Sequence, residues 1–410
     1  MSQYSMAGPS QPVPAAKVAA PPYAWVILVT VFMAGVAAPL NQFKVPPLMP
    51  VLMESFRLEL STAGLLMSIF AVTGFILALP AGFILQRFGP KITGLMAVGC
   101  IALGAGIGAL ASTAGLLLIS RGIEGIGMGL IAIVAPAVIA AWFPAEARGV
   151  PMGIWATWVP LGGVIMYNVA PPLGVTLGWQ AVWWVGAAFA LLTFGLYWLF
   201  IRRPPEQRQP DDAPPTPASP PSGLSAVKAN RSMWLLSLQF CCFNVTFGAI
   251  GAFMPTFLAA ERGYTLSAAA LITSLSMLAT IVSCPLSGWI SDYLGSRKLT
   301  YTIPAIIIAV MWLFPFHISG WMLPAFMIVL GSLAGAVPTA TFAAVPEVMG
   351  QPEKAGIGLA ILALGQNLGM FMGPLVFGWL VESTTWATAG YLLIPISIAG
   401  VVAGWLVKVR

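Results

Sequence analysis

About twelve stretches of roughly 20 mainly apolar residues follow one another along this 410-residue chain. A helix of about that length crosses the hydrocarbon core of a bilayer. The stretches fall near 24–47, 62–82, 92–111, 114–140, 149–170, 180–201, 232–258, 266–288, 299–318, 321–345, 355–380 and 385–407. Their apolar runs are continuous rather than alternating, which selects helices over barrel strands. Only 7% of the residues are charged, against about 25% in a soluble globular protein, so lipid must cover most of the surface. The expected fold is an all-α membrane protein with twelve transmembrane helices.

The twelve stretches divide into two related halves. Gly82-Phe83-Ile84-Leu85-Gln86-Arg87-Phe88-Gly89-Pro90-Lys91 follows the second stretch, and Gly288-Trp289-Ile290-Ser291-Asp292-Tyr293-Leu294-Gly295-Ser296-Arg297-Lys298 follows the eighth. Each signature reads as a helix end, a tight turn and then cations. The distance from Gly82 to Gly153 is 71 residues and that from Gly288 to Gly358 is 70, and the second glycine of each pair opens the fifth helix of its half. The segment 202–231, with its Pro/Ser run and Asp211 and Asp212, cannot bury a core and reads as a flexible linker. The expected layout is therefore a disordered cytoplasmic tail over 1–22, a six-helix bundle over 23–201, the linker over 202–231 and a second six-helix bundle over 232–410. Two-halved membrane proteins of this kind characteristically carry solutes.

The cations set the orientation. With the N-terminus in the cytoplasm, fourteen of the eighteen Lys and Arg residues lie inside, only Arg57 and Arg262 lie in outside loops, and Lys44 and Arg121 fall within spans. This asymmetry follows the positive-inside rule and requires an even number of crossings. Trp25, Trp142, Trp179, Trp198, Trp321, Trp386 and Trp405 fall near span ends, where interfacial anchors belong. The same rule accounts for the net charge of +6 without nucleic acid, and no basic run is interleaved with aromatics. Cys100, Cys241, Cys242 and Cys284 lie in apolar runs with neither zinc nor disulfide spacing. One His, no phosphate-cradling loop and no nucleophile–His–acid set argue against an enzyme, a metal site or a resident cofactor.

These features resemble the major facilitator superfamily across nearly the whole chain. The loop after the eighth span is similar to the family's G-x-x-x-D-R-x-G-R-K motif through Gly288, Asp292, Gly295, Arg297 and Lys298. The loop after the second span is similar through Gly82, Arg87 and Gly89, but has Gln86 where the family has Asp. Arg121-Gly122-Ile123-Glu124-Gly125-Ile126-Gly127 resembles the R-x-x-x-G-x-G pattern of the fourth helix, and Val159-Pro160-Leu161-Gly162-Gly163 resembles the bend of the fifth. The resemblance implies two pseudo-symmetric bundles around a central cavity that rock to give alternating access. In the family the acid of the first signature latches the cytoplasmic side against the eleventh helix. With Gln86 there, the stronger latch expected here is Asp292 against the start of the fifth helix, near Arg148 and Gly149, where a carboxylate gains about 0.3–1 kcal/mol from the helix N-terminus. Gly82, Gln86, Arg87, Arg121, Glu124, Arg148, Gly288, Asp292 and Arg297 form the candidate coupling and gating set.

Charges inside the membrane are costly, roughly 2.5–3.5 kcal/mol at a helix centre, so the few present are candidate site residues. Lys44 follows Asn41-Gln42-Phe43 and precedes Val45-Pro46-Pro47, with Asn41 on its own helix face. It reads either as an anchor for an anionic solute or as a lysine snorkelling to the outer interface. Arg121 and Glu124, at i and i+3, are placed to pair, and Glu124 is the candidate for a coupling proton. Glu347 reads as a loop charge and His317 as a packed or interfacial histidine. The neutral polar and aromatic candidates for solute binding are Trp155, Trp158, Gln239, Asn244, Gln366 and Asn367. Gln239 and Asn41 hold similar positions in the two halves, which favours a shared cavity.

The reading is a secondary transporter in a cell membrane, monomeric, with lipid and a small-molecule substrate as partners. The favoured substrate is a small anion, a carboxylate or a cyanate-like species. Asn41, Lys44 and Pro46 are similar to the first helix of the family's cyanate-type porters, with different spacing. Efflux of apolar compounds is the rival, though the first helix lacks the acid common in proton-coupled drug exporters. A transport-silent membrane sensor is the alternative from another class.

Overall fold

The computed structural model describes residues 21–77, 80–144, 147–202, 230–350 and 355–408. The expected N-terminal tail up to residue 20 and the linker over 203–229 lie outside the described residues.

The first span is broken. Helix α1 (Pro22–Gln42) stops ahead of Pro46 and Pro47, which lack backbone donors and exclude a continuous helix. A single 3-10 turn (Pro46–Leu48) leads into α2 (Met49–Phe56), which ends at Arg57 with φ 52°. The second span begins as α3 (Leu60–Leu77). Helix α4 (Pro80–Ala109) is two helices, 80–88 and 90–109, joined at Gly89, whose φ of 74° and ψ of 169° reverse the chain between the second and third spans. Next come α5 (Ala114–Trp142), the fifth span as α6 (Gly149–Ala156) and α7 (Trp158–Leu177), and α8 (Trp179–Phe200). The second half contains α9 (Arg231–Ala260), α10 (Leu266–Leu294), α11 (Arg297–Met311), α12 (Met322–Met349), α13 (Ala355–Ser383) and α14 (Trp386–Leu406). Gly295, at φ 61°, ends α10, and the Ser296 side chain caps α11 by accepting from the Leu299 amide. Gly89 and Gly295 occupy equivalent places in the two signatures, and both need the left-handed region that glycine enters without strain.

Among the described residues, eleven helices are long and apolar enough to cross a membrane. The ninth, α11, has 15 residues, about 22 Å at 1.5 Å per residue. Hydrogen-bonded turns carry it on, with the amides of Trp312, Phe314 and His317 donating to Ile308, Met311 and Phe314. Helices α1–α8 pack among themselves and α9–α14 among themselves, giving the two six-helix bundles. The fifth span breaks at Thr157 rather than at the Pro160–Gly163 bend, because Pro160 sits in the first turn of α7, where a missing donor is tolerated. Among the tryptophans expected at the interface, Trp25, Trp198, Trp321 and Trp405 are exposed. Trp142 and Trp179 are instead buried against Tyr23 and Trp183.

The bundles meet along α3 with α13 and along α7 with α10. A Cβ at Gly64 would lie 2.4 Å from the Pro374 carbonyl oxygen, and one at Gly378 would lie 2.6 Å from that of Leu60, so the backbones touch. Among the described residues, three hydrogen bonds join the bundles here. The Tyr167 hydroxyl donates to the Gly251 carbonyl (2.6 Å), Asn168 Nδ2 to Ser274 Oγ (3.1 Å) and the Ser61 amide to Glu382 Oε1 (2.8 Å). All lie between mid-span and the end that carries Arg57 and Arg262. At the opposite end, which carries the two signatures, Gln86, Arg87 and Phe88 are exposed, and a Cβ at Gly82 or Gly149 would meet nothing within 4 Å. The bundles are closed at one end and apart at the other.

This separation accounts for the Asp292 contact. Asp292 does not face the start of the fifth span; its Oδ1 pairs with Arg297 Nη1 at 2.6 Å, and Arg297 Nε reaches Glu347 Oε1 at 3.3 Å. The Arg148 guanidinium donates to the carbonyls of Phe143 (2.8 Å) and Ala140 (2.6 Å), which holds it to the end of α5. With the signature ends apart, Asp292 takes a partner from its own loop.

Candidate functional site

The break in the first span builds the site. A helix end leaves carbonyls without intrahelical donors, and at the end of α1 these belong to Asn41 and Gln42. Arg121, on α5, serves both: Nη1 donates to the Asn41 carbonyl at 2.7 Å and Nη2 to that of Gln42 at 2.9 Å. Its Nε donates to the Leu66 carbonyl of α3 at 3.1 Å, and its face lies 4.7 Å over the Phe70 ring. A cation at a helix C-terminus is also favoured by the helix dipole. One guanidinium therefore ties together α1, α3 and α5.

Glu124, one turn along α5, pairs with Arg121 through Oε2 and with Lys44 Nζ through Oε1 at 2.5 Å. Lys44 also donates to Asn41 Oδ1 at 2.9 Å and lies 4.5 Å over the Trp183 ring of α8. The Asn41 amide donates in turn to the carbonyls of Ala37 (2.9 Å) and Gly186 (3.4 Å). Lys44, Asn41, Arg121 and Glu124 are all fully buried. Gly104 makes room for them, since a Cβ there would lie 2.7 Å from Glu124 Cγ and from the Ser120 carbonyl oxygen.

The charges do not balance. Two cations share one carboxylate, so the ionised cluster carries a surplus of one positive charge inside the bundle. Desolvating ions costs several kcal/mol each, recovered only where geometry and hydrogen bonds are good. Arg121 and Glu124 meet that condition as a neutral pair, and the surplus falls on Lys44. Three buried polar atoms nearby have no partner: Gln42 Oε1 beside Asn41, Ser68 Oγ close to Leu66 on α3, and Trp183 Nε1 on the ring under Lys44.

Lys44 therefore neither reaches the outer interface nor faces the gap between bundles; it points into its own bundle. Gln239 is buried in the other bundle, where Thr341 Oγ1 donates to its Oε1 at 3.3 Å. It borders a void of about 20 Å³ that is also lined by Phe243, Thr246 and Ser397. Asn41 and Gln239 are thus held apart, each bonded within its own half. Asn244 donates to the Phe240 carbonyl of its own helix. Asn367 donates to the Ala363 carbonyl and turns its oxygen toward Gly74 across the bundle interface, and Gln366 beside it is half-buried. Trp155 and Trp158 stack at 4.6 Å across the Thr157 break, with Trp155 seated in the notch left by Gly35. Gly288 is half-buried. Trp183, Gly104 and the Tyr167–Gly251 bond carry no local sequence signal and emerge only from the packing. Among the described residues there is no cluster of His, Cys, Asp or Glu that would hold a metal ion.

The family model for the Major Facilitator Superfamily matches residues 31–356 and 257–410. The chain belongs to the Major Facilitator Superfamily. This superfamily chain is 23% identical over 385 residues to the hexuronate transporter of Bacillus subtilis, covering 90% of each protein. It is 24% identical over 311 residues to the galacturonate transporter of Dickeya chrysanthemi, covering 69% of this chain and 88% of the relative. Its fold matches the crystal structure of a bacterial homolog to the human lysosomal transporter Spinster, in inward-facing and unoccupied conformation. The TM-score is 0.78 at 18% identity, over 95% of this chain and 96% of that one. Family and relatives together indicate a multi-pass membrane transporter rather than an enzyme.

Proposed function

We propose that the protein is a secondary transporter of a small organic anion, working by alternating access between the two bundles. The observation that carries this reading is the surplus positive charge of the Lys44–Glu124–Arg121 cluster, buried at the break in the first span. A cation held away from water has little else to balance it, so it favours an anion entering the gap between bundles. At about 10 Å and an effective dielectric constant of about 20, the attraction is ~1.7 kcal/mol, more than tenfold in affinity. Two relatives carry names of carboxylate-bearing sugars, which agrees in charge and size. Lys44 acts in this reading through its field and not by touching the solute. The bundles, closed at one end and apart at the other, supply one of the two states that alternating access needs.

The test is uptake into proteoliposomes of labelled D-galacturonate and of its uncharged counterpart D-galactose. Saturable uptake of the acid alone, with an affinity lowered severalfold by Lys44→Met, is the expected result. Flux of neutral or apolar compounds without anion flux refutes the reading, and so does anion flux that is indifferent to Lys44→Met.

A further inference from the structure

We propose that Lys44, rather than the carboxylate of Glu124, carries the coupling proton, so that one proton is taken up with each anion and released with it. This rests on the anion reading above. The groups facing Lys44 Nζ are Glu124 and Arg121 from α5, the Asn41 oxygen from α1 and the Trp183 ring from α8. Among the described residues no other charged side chain pairs with the cluster.

The three members differ in what the loss or gain of a proton leaves behind. Arg121 has no usable deprotonated form, and three main-chain carbonyls hold its donors. Protonating Glu124 would leave two buried cations with no counter-charge. Deprotonating Lys44 leaves the neutral Arg121–Glu124 pair, and the remaining amine keeps two N–H donors for Asn41 Oδ1 and Glu124 Oε1. The cluster is therefore neutral with Lys44 as an amine and bears one positive charge with Lys44 as an ammonium. An anion in the gap favours the ammonium, and its departure favours the amine.

The step is a proton transfer without redox change. An Nζ–H bond breaks, the electron pair stays on nitrogen and the proton goes to water. The unpartnered oxygens of Gln42 and Ser68 lie on the segments that hold Arg121 and are the polar points at which a relaying water would dock. By linkage, the anion raises proton occupancy as much as the proton raises anion affinity. Carrying one proton with a monoanion makes the cycle electroneutral.

The experiment is calorimetric binding to the full-length protein in detergent, with D-galacturonate, D-glucuronate and sulfoacetate as probes. Two buffers of different ionisation enthalpy reveal the protons taken up, at pH values from about 6 to about 9. The wild type is expected to take up on the order of one proton per anion at the alkaline end and few at the acid end. Lys44→Arg, whose charge is fixed, should bind the anion and take up none. If that variant does not fold, Lys44→Met should bind more weakly with an affinity that no longer depends on pH. Proton uptake that persists in Lys44→Arg or Lys44→Met overturns the assignment and leaves the anion reading standing. Anion binding by the wild type without proton uptake does the same. If none of the three anions binds, the anion reading itself fails and this inference falls with it.

Discussion

Removing Glu124 and removing Lys44 should have effects of very different size, although the two side chains form one ion pair. Glu124→Gln leaves Lys44 and Arg121 facing each other, both fully buried, with no carboxylate between them. Deleting one partner of a buried pair typically costs about 3–5 kcal/mol. Lys44→Met leaves Arg121 and Glu124 as a neutral pair and strands Asn41 Oδ1 and Glu124 Oε1. An unpartnered buried oxygen costs about 1–3 kcal/mol, and loss of the surplus charge offsets much of the cost of the two, for a net loss smaller than that of Glu124→Gln. In the Glu124→Gln background, with the comparison made at acid pH where Lys44 is an ammonium, Lys44→Met removes one of two unpaired cations and should be stabilising. The substitution therefore changes sign with its background. The four cysteines, all free and at least partly buried, allow a direct assay: the rate at which a thiol-reactive dye gains access on heating at a fixed scan rate, compared among wild type, both single variants and the double variant. Equal losses in the two single variants, or a Lys44→Met effect of the same sign in both backgrounds, would refute the charge count.

Three further outcomes follow from the packing. Tyr167→Phe removes the 2.6 Å bond to Gly251, worth about 0.5–1.5 kcal/mol, and should shift the population roughly two- to thirteenfold toward separation at the Arg57 end; unchanged spin-label distances between positions 57 and 384 would contradict this. Gly64→Ala forces a Cβ against the Pro374 carbonyl and should widen the same distances with little loss of thermal stability, since it strains the interface between bundles and not either interior. Gly104→Ala should lower stability by about 1–3 kcal/mol through overpacking against Ser120 and Glu124. Gly106→Ala, on the same helix with nothing within 4 Å, serves as its control and should be neutral or mildly stabilising.

The spans, the halves and the two signature turns were legible because each rests on local chemistry. Apolar length fixes a crossing, and Gly89 and Gly295 permit the turns. Arg121 and Glu124 were legible as a pair because three residues on a helix bring side chains together. Lys44 was legible as unusual but not in its partner, since Glu124 lies 80 residues away and nothing in either segment says that α1 and α5 are neighbours. Its two expected environments, solute or outer interface, both assumed that a lone lysine must find water or ligand, whereas it found a carboxylate. The Asp292 contact was missed for another reason. The expected contact needs the two signature ends together, and in this structure they are apart.

Arg121, fixed to carbonyls on two helices and to a carboxylate on its own, has a mechanical consequence. It clamps the front half of the protein as a cross-brace stiffens a frame. The back half has no equivalent among the described residues: its ion pairs lie at the signature loop, and its interior includes a small void beside Gln239. In the alternating access proposed above, such a braced front half should tilt as a plate while the back half flexes to follow it.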